Sequence, residues 1–397
     1  MNDPNEQSTK RFLKNLAMII GVGIVFISII YFGKKYKDSQ KIAETTEFFN
    51  QFSDETYVEF AQKLEQSIHD NNPELFDNTV DVASLFGFSN RELVESFKKR
   101  QVVDFLKPQL KIGTSIHNQL INPNYFKYTK FYKKEGVPHI VFRLYSLDFI
   151  NFMDFTLGIK KDNIVVTDIY SFYTGNLFSE MASEVYYKTV KRNSLSHYEM
   201  QAYQKAKNYL QLGNYEEAYN LLVSIPVNKR NPRHYEFLLL AVSNYSEDKL
   251  QEVITEMKTL KPDDARMHAY LNFQESFMQA TPNLDKLNTA IDNLVDYVGE
   301  DPIFDFYRGL IYDLETDFEK AVPFFDRLIT EIPDFFEGYY YKLYGLLLQN
   351  EIDEALSLTT KMTESFTVNE EDLSFDLQEF PAFINSEAYK NIFKNAE

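Results

Sequence analysis

One stretch limits what this chain can be. Leu16 to Phe32, LAMIIGVGIVFISIIYF, carries no charged side chain over seventeen residues. A helix of that length spans roughly 26 Å at about 1.5 Å per residue, which suits the hydrocarbon core of a bilayer. Lys10, Arg11 and Lys14 precede the run and Lys34, Lys35, Lys37 and Lys41 follow it, placing basic side chains where lipid headgroups would lie. The run is longer than the apolar part of a cleavable signal peptide and ends in Tyr31 and Phe32, with no pair of small residues for a peptidase. It therefore predicts an uncleaved signal anchor. Basic residues on the two sides nearly balance under the positive-inside rule; the expected orientation keeps the short N-terminus inside and puts the bulk of a single-pass protein outside the cytoplasm, at a bacterial inner membrane. Gly21 and Gly23 lack the four-residue spacing of a helix-dimerising pair, and no charge interrupts the run, so the segment reads as a tether.

The other residues are cargo. The expected organisation is a polar tail at 1–15, the transmembrane helix at 16–32, a stalk helix at 33–52, an α+β domain at 53–175, paired helices over 190–365 and an acidic cap at 366–397. Apolar residues make up 44% of the chain, so the cargo can bury real cores. The absence of cysteine excludes disulfides, thiolate metal sites and cysteine nucleophiles. The net charge of −18 is uneven: residues 1–41 hold seven basic and three acidic side chains, leaving −22 on the remainder. Such a field opposes polyanions, so no nucleic acid partner is expected.

Within 53–175 the apolar spacing predicts helices at Thr56 to Ile68, Val80 to Phe88 and Arg91 to Ile121. After Asn122 the period becomes two. Met153, Phe155, Leu157 and Ile159 alternate with Asp154, Thr156 and Lys160, the pattern of a half-buried strand, and comparable runs lie at Tyr125 to Lys133, His139 to Leu147 and Ile164 to Tyr173. Short turns between them predict a four-stranded antiparallel meander. Helices followed by a curved meander loosely resemble the cystatin-like or NTF2-like α+β modules.

Beyond Gly175 helices recur in pairs. In the clearest pair Ile303, Phe306, Tyr307, Leu310, Ile311 and Leu314 share one helical face, and Phe318, Ala321, Val322, Phe325 and Ile329 share another. Gly309, Tyr312, Phe318, Ala321, Phe325 and Pro333 resemble the small-aromatic-aromatic-small-aromatic-proline pattern of the tetratricopeptide repeat. Ala206, Tyr209, Gly213, Tyr215, Ala218 and Leu222 form a second match, and Ala355 follows Ala321 by the family's period of 34 residues. Two intermediate units depart from the pattern, with Leu250 and Met278 where small residues are usual. The resemblance implies an all-α solenoid of about five helix pairs, and it puts a partner groove on the first helix of each pair. In this chain that groove would comprise Tyr203, Lys207 and Leu210, then Phe306, Leu310 and Asp313, then Tyr340, Tyr344 and Leu347. The acidic stretch Glu370 to Glu379 is expected to be a loop, followed by a capping helix with Tyr389, Ile392 and Phe393.

No phosphate loop, nucleophile elbow or metal-binding histidine pair occurs, and no cofactor is expected. Arg143, Asp154 and Asp168 fall on expected strands and would form an acid/base or ligand cluster if they converged on one concave surface; the commoner roles for such residues are strand charges that face solvent or a structural ion pair. Two readings follow. One is a membrane-anchored, non-enzymatic scaffold that presents its helical repeats to a protein or peptide partner and contacts the lipid bilayer through residues 16–32; the other is a ligand-binding or enzymatic α+β domain with the repeats as accessory.

Overall fold

A computed structural model of the chain describes residues 40–89, 103–104, 110–120, 122–146, 149–181, 197–227, 230, 234–243, 245–277 and 283–396. No helix among the described residues is long and apolar enough to cross a membrane, and the run at 16–32 lies outside them.

The described chain opens on a helix at 40–49 (α1). Helix α2 (Asp54–His69) starts where the Ser53 hydroxyl accepts the N–H of Thr56 at 3.3 Å. Its spacing gathers Tyr57, Ala61, Leu64 and Ile68 on one buried face. Three short helices follow: α3 (Pro73–Asp77), α4 (Val82–Ser89) and α5 (Ile112–His117). Most of the helix expected over Arg91 to Ile121 lies outside the described residues; within it, α5 spans one and a half turns and residues 103–104 are helical.

Strands β1 (Phe126–Lys134), β2 (Val137–Ser146), β3 (Phe149–Lys160) and β4 (Asn163–Ser171) pair antiparallel in chain order. Glu135 and Gly136 between β1 and β2 both have positive φ, as do Lys161 and Asp162 between β3 and β4. Two such residues give the tight turn whose twist matches that of the flanking strands. A fifth strand, β5 (Asn176–Leu177), extends the expected four-stranded meander through Tyr170↔Leu177 and Ser171↔Asn176. It is only two residues long, too short for an alternation pattern to reveal.

One sheet face packs Phe126, Ile140, Phe142, Phe155, Leu157 and Val166 against Tyr57, Leu64 and Phe76 of the helices. The other face is also covered. Val141, Tyr145, Ile150, Phe152, Tyr170 and Phe172 share a single core with the C-terminal helices, contributed there by Tyr270, Phe273, Phe304 and Phe335 among others. Asp154 therefore points into an internal boundary and is 1% exposed, which corrects the half-buried reading at that position, whereas Thr156 is half-buried and Lys160, at the strand end, is exposed and pairs with Asp81.

Those C-terminal helices form five consecutive antiparallel pairs: α6 (His197–Gln211) with α7 (Tyr215–Val223), α8 (His234–Ser243) with α9 (Glu247–Leu260), α10 (Ala265–Phe277) with α11 (Leu284–Val298), α12 (Ile303–Leu314) with α13 (Phe318–Glu331), and α14 (Phe336–Leu348) with α15 (Ile352–Ser365). One turn recurs between partners. Gly213, Thr316 and Asn350, each two residues before a second helix, have φ of 72°, 59° and 59°. At all three the next residue's N–H reaches back to the helix, from Asn214 to Tyr209 O, Asp317 to Tyr312 O and Glu351 to Leu346 O, each at 2.9 Å. These are the same left-handed helix stop, which satisfies carbonyls that a helix end leaves open.

Glu370 to Glu379 is not the expected loop. Its first part is helix α16 (Glu370–Asp376), because Asn369 accepts the N–H of Asp372 at 2.9 Å and three acids occupy the first turn, where the helix dipole favours negative charge. Helices α17 (Pro381–Ile384) and α18 (Glu387–Ala396) complete the end, and Leu373, Leu377, Phe383, Tyr389 and Phe393 pack on Tyr339, Leu343, Ala355 and Met362.

Candidate functional site

Arg143, Asp154 and Asp168 all lie on the sheet face that meets the helical pairs, yet each is held by its own partners. Arg143 on β2 pairs with Asp301, which also accepts the N–H of Ile303 at 2.8 Å and so starts α12. Asp154 on β3 accepts from Tyr132 Oη at 2.6 Å, His139 Nδ1 at 2.9 Å and Arg266 Nη1 at 2.9 Å. Burial alone would raise its pKa, but the bonds and charges of His139, Tyr132 and Arg266 outweigh that and hold it below the ordinary carboxylate value. Asp168 accepts from the Ser179 hydroxyl and backbone N–H, and burial pushes its pKa up against them. No carboxylate among the three faces another across an open space. Arg143 and Asp154 join the sheet to the paired helices, and Asp168 ties β4 to Ser179, two residues beyond β5.

The same boundary is reinforced along its length. Tyr270 Oη donates to Ile150 O at 2.5 Å, Tyr170 Oη to Asp264 at 2.8 Å, Thr129 Oγ1 to Val298 O at 2.6 Å and Asn122 Nδ2 to Asp334 at 2.8 Å. The Arg266 guanidinium lies 3.5 Å over the Tyr170 ring. A cleft of about 730 Å³ opens here between β1 and residues 260–266 and 296–297. Three of its four cations are engaged internally, Lys130 on Asp296 O, Lys261 on Gly175 O and Asn176, and Arg266 on Asp154, while Lys134 is exposed at its edge.

The residues expected to line a groove divide into two sets. Tyr203, Leu210, Phe306 and Leu347 are buried. Tyr203 Oη meets His234 Nδ1 at 3.1 Å, and the Phe306 ring sits 5.1 Å from that of Phe335. Lys207 is exposed on α6, while Leu310, Asp313, Tyr340 and Tyr344 are half-buried on α12 and α14. The residues expected to pack the repeats lie as follows. Ala206, Ala218, Leu222, Ala321, Phe325 and Ala355 are fully buried, and a methyl at Gly309 would come within 2.6 Å of the Phe325 ring. Tyr209 and Tyr215 border the same core, Phe318 is half-buried, Tyr312 stacks on Phe324 at 5.6 Å, and Pro333 is exposed, accepting from Tyr339 Oη at 3.0 Å.

On α14 the side chains sort by helical angle. Tyr339, Leu343, Leu346 and Leu347 enter the C-terminal core, and Gly338 and Gly345 abut Leu328 and Val322 of α13. Glu337, Tyr341 and Tyr344 lie one turn apart on the remaining face, with Tyr340 beside them. Tyr344 Oη donates to Glu379 at 2.9 Å, so the segment after α16 borders the same surface as Asp313. Glu337, Tyr341, Asp376 and Glu379 were not picked out by the sequence reading. Glu337 stands one turn before Tyr341, which is a usable signal; Glu379 is brought in by tertiary packing alone.

No family model matches the chain, and no curated protein matches it. Among solved structures it is similar to PilW, described as a widely conserved type IV pilus biogenesis factor, at 16% identity and a TM-score of 0.33, covering 50% of this chain and 99% of that one. MamA AMB-1 gives 16% identity and a TM-score of 0.27, covering 42% of this chain and 90% of that one. Likenesses at this level establish no shared fold.

Proposed function

We propose that this chain is a membrane-anchored interaction scaffold: a tetratricopeptide-like solenoid, stiffened along one edge by the α+β domain, that presents the inner face of its first helices to a protein or peptide partner. The observation that carries this is the contrast between the two candidate regions. Polar groups on the sheet are engaged in the joint to the helices, whereas Asp313, Tyr340 and Tyr344 remain half-exposed on the inner helix face. Half-exposed aromatics with two rotatable angles suit peptide capture, since little freedom is lost on binding. The anchor at 16–32 and an orientation with the solenoid outside the cytoplasm of a bacterial cell belong to the same proposal, supported by the uncharged run and its basic flanks.

Crosslinking with mass spectrometry in native membranes tests it, comparing the unaltered chain with a Tyr340→Ser/Tyr344→Ser variant of unchanged melting temperature. Cross-links from α12 and α14 to a second protein are expected, and are expected to weaken in the variant. Cross-links that are indifferent to both substitutions would overturn the groove. Protease access on intact cells, with a tag at each end, decides the orientation: a protected C-terminal tag would reverse it.

A further inference from the structure

The inner face at the C-terminal end of the stack has an unusual chemical bias. Asp313 on α12, Glu337 on α14, and Asp376 and Glu379 beyond α15 surround Tyr340, Tyr341 and Tyr344. Among the described residues none of these four carboxylates pairs with a lysine or arginine. Nearby cations are engaged elsewhere: Arg308 with Asp305 and Asn288, Lys342 with Asp326, and Lys320 with Asp317. Asp313 Oδ1 and Glu337 Oε2 are buried with no hydrogen-bond partner at all. A buried carboxylate oxygen without a donor is costly, more so when it is charged, and a donor brought by a partner would offset part of that cost.

Resting on the scaffold reading above, we propose that this acidic, tyrosine-bearing face docks a lysine- or arginine-bearing peptide segment of a partner protein. A basic side chain would approach Asp313 and Glu337 beside the half-exposed Tyr340 and Tyr344, the Tyr341 ring itself being packed on Phe306 and Phe325, with Asp376 and Glu379 holding a second basic residue at the rim. Each element of the fit is present: unpaired negative charge, aromatic faces that attract cations, and orphaned acceptors awaiting N–H donors. Burial raises the pKa of both Asp313 and Glu337, the response of carboxylates removed from water without a compensating cation. The exposed Phe375, beside Asp376, adds an apolar contact for the partner's chain.

The test uses the full chain in detergent and three fluorescein-labelled twelve-residue peptides of matched length: one alternating alanine with lysine and arginine, one alternating alanine with glutamate, and one alternating alanine with serine. Binding is read by anisotropy at about 0.15 M salt, where general attraction to an acidic protein is largely screened beyond about 8 Å. Asp313→Asn/Glu337→Gln is expected to weaken the basic peptide by about tenfold or more, as loss of close charge pairs does. Glu319→Gln/Glu354→Gln, which removes two exposed charges from the second helices, is expected to change it less than about twofold. Both double variants preserve side-chain shape, and unchanged far-UV circular dichroism and melting temperature verify folding. Equal weakening by the two pairs would overturn the proposal in favour of the overall field. Binding of the serine or glutamate peptide that is lost in Tyr340→Ser/Tyr344→Ser but not in Asp313→Asn/Glu337→Gln would overturn the basic partner while sparing the scaffold. Failure of all three peptides to bind would count against both.

Discussion

Arg143 on β2 and Asp301 at the start of α12 form an ion pair whose side chains are 2% and 1% exposed. Arg143 Nε and Asp301 Oδ2 find no further partner. Removing one member leaves the other charged and buried, so Arg143→Met alone or Asp301→Ala alone is expected to destabilise by about 3–5 kcal/mol. Arg143→Met combined with Asp301→Asn keeps a side-chain acceptor for the Ile303 N–H and strands no charge. It is expected to lie within about 1.5 kcal/mol of the parent in urea unfolding. A double variant no more stable than the single ones would show that the pair is itself a strong net stabiliser.

His234 gives a pH dependence of known sign. It is fully buried, its Nε2 has no partner, and burial, helped by Arg230, lowers its pKa from 6.5 to about 4 against the opposing pull of Glu256. The folded state therefore binds this proton more weakly than the unfolded chain. Stability is complete above about pH 6.5 and falls as pH drops toward 4, by about 1.4 kcal/mol per unit from this residue. Urea midpoints measured from pH 7.5 to 4.5 should fall less steeply in His234→Gln, which cannot take up the proton. Parallel curves for the two proteins would remove His234 as the cause.

The recurrent turn between paired helices is occupied by three different residues, and they should not be equivalent. A β-branched threonine is the least suited to positive φ. Thr316→Gly is expected to stabilise by about 0.5–1 kcal/mol, the relief of left-handed strain reduced by glycine's greater loss of freedom. Asn350→Gly should gain less, because asparagine tolerates this region. Gly213→Ala should cost about 1 kcal/mol although its methyl would meet nothing within 4 Å, so that the penalty is wholly one of backbone conformation. Denaturant midpoints order the three; a neutral Gly213→Ala would contradict the assigned turn.

Much of this architecture is legible in the residues themselves. Alternation marks β1 to β4, and the recurrence of Ala206, Ala218, Ala321 and Ala355 marks helices that approach closely, because both are periodic and local. The joint between sheet and stack is not periodic. Arg143 and Asp301 are separated by 158 residues, and nothing in either neighbourhood names the other. Strand charges ordinarily face water, and nothing local to Asp154 signals that His139, Tyr132 and Arg266 surround it. The candidate site shows the same division: Tyr340, Tyr344 and Asp313 are implied by the resemblance to the tetratricopeptide repeat, while Glu379 arrives through the packing of α16 and its following turn.

The shared core has a further consequence for how the molecule unfolds. Phe152 on β3 and Phe304 on α12 stack at 5.9 Å, and Phe273 on α10 meets Phe304 edge-on at 5.8 Å. Sheet and stack thus bury the same apolar surface at this boundary, and neither keeps this shared core without the other. Phe304→Ala is expected to destabilise by about 3–5 kcal/mol through the cavity it leaves. Because that cavity borders both parts, hydrogen exchange should quicken in the amides of β3 as well as in those of α12. In the parent chain both should exchange through one opening with the same denaturant dependence. If β3 kept its protection while α12 lost it, the boundary would be an interface between independent units and not a common core.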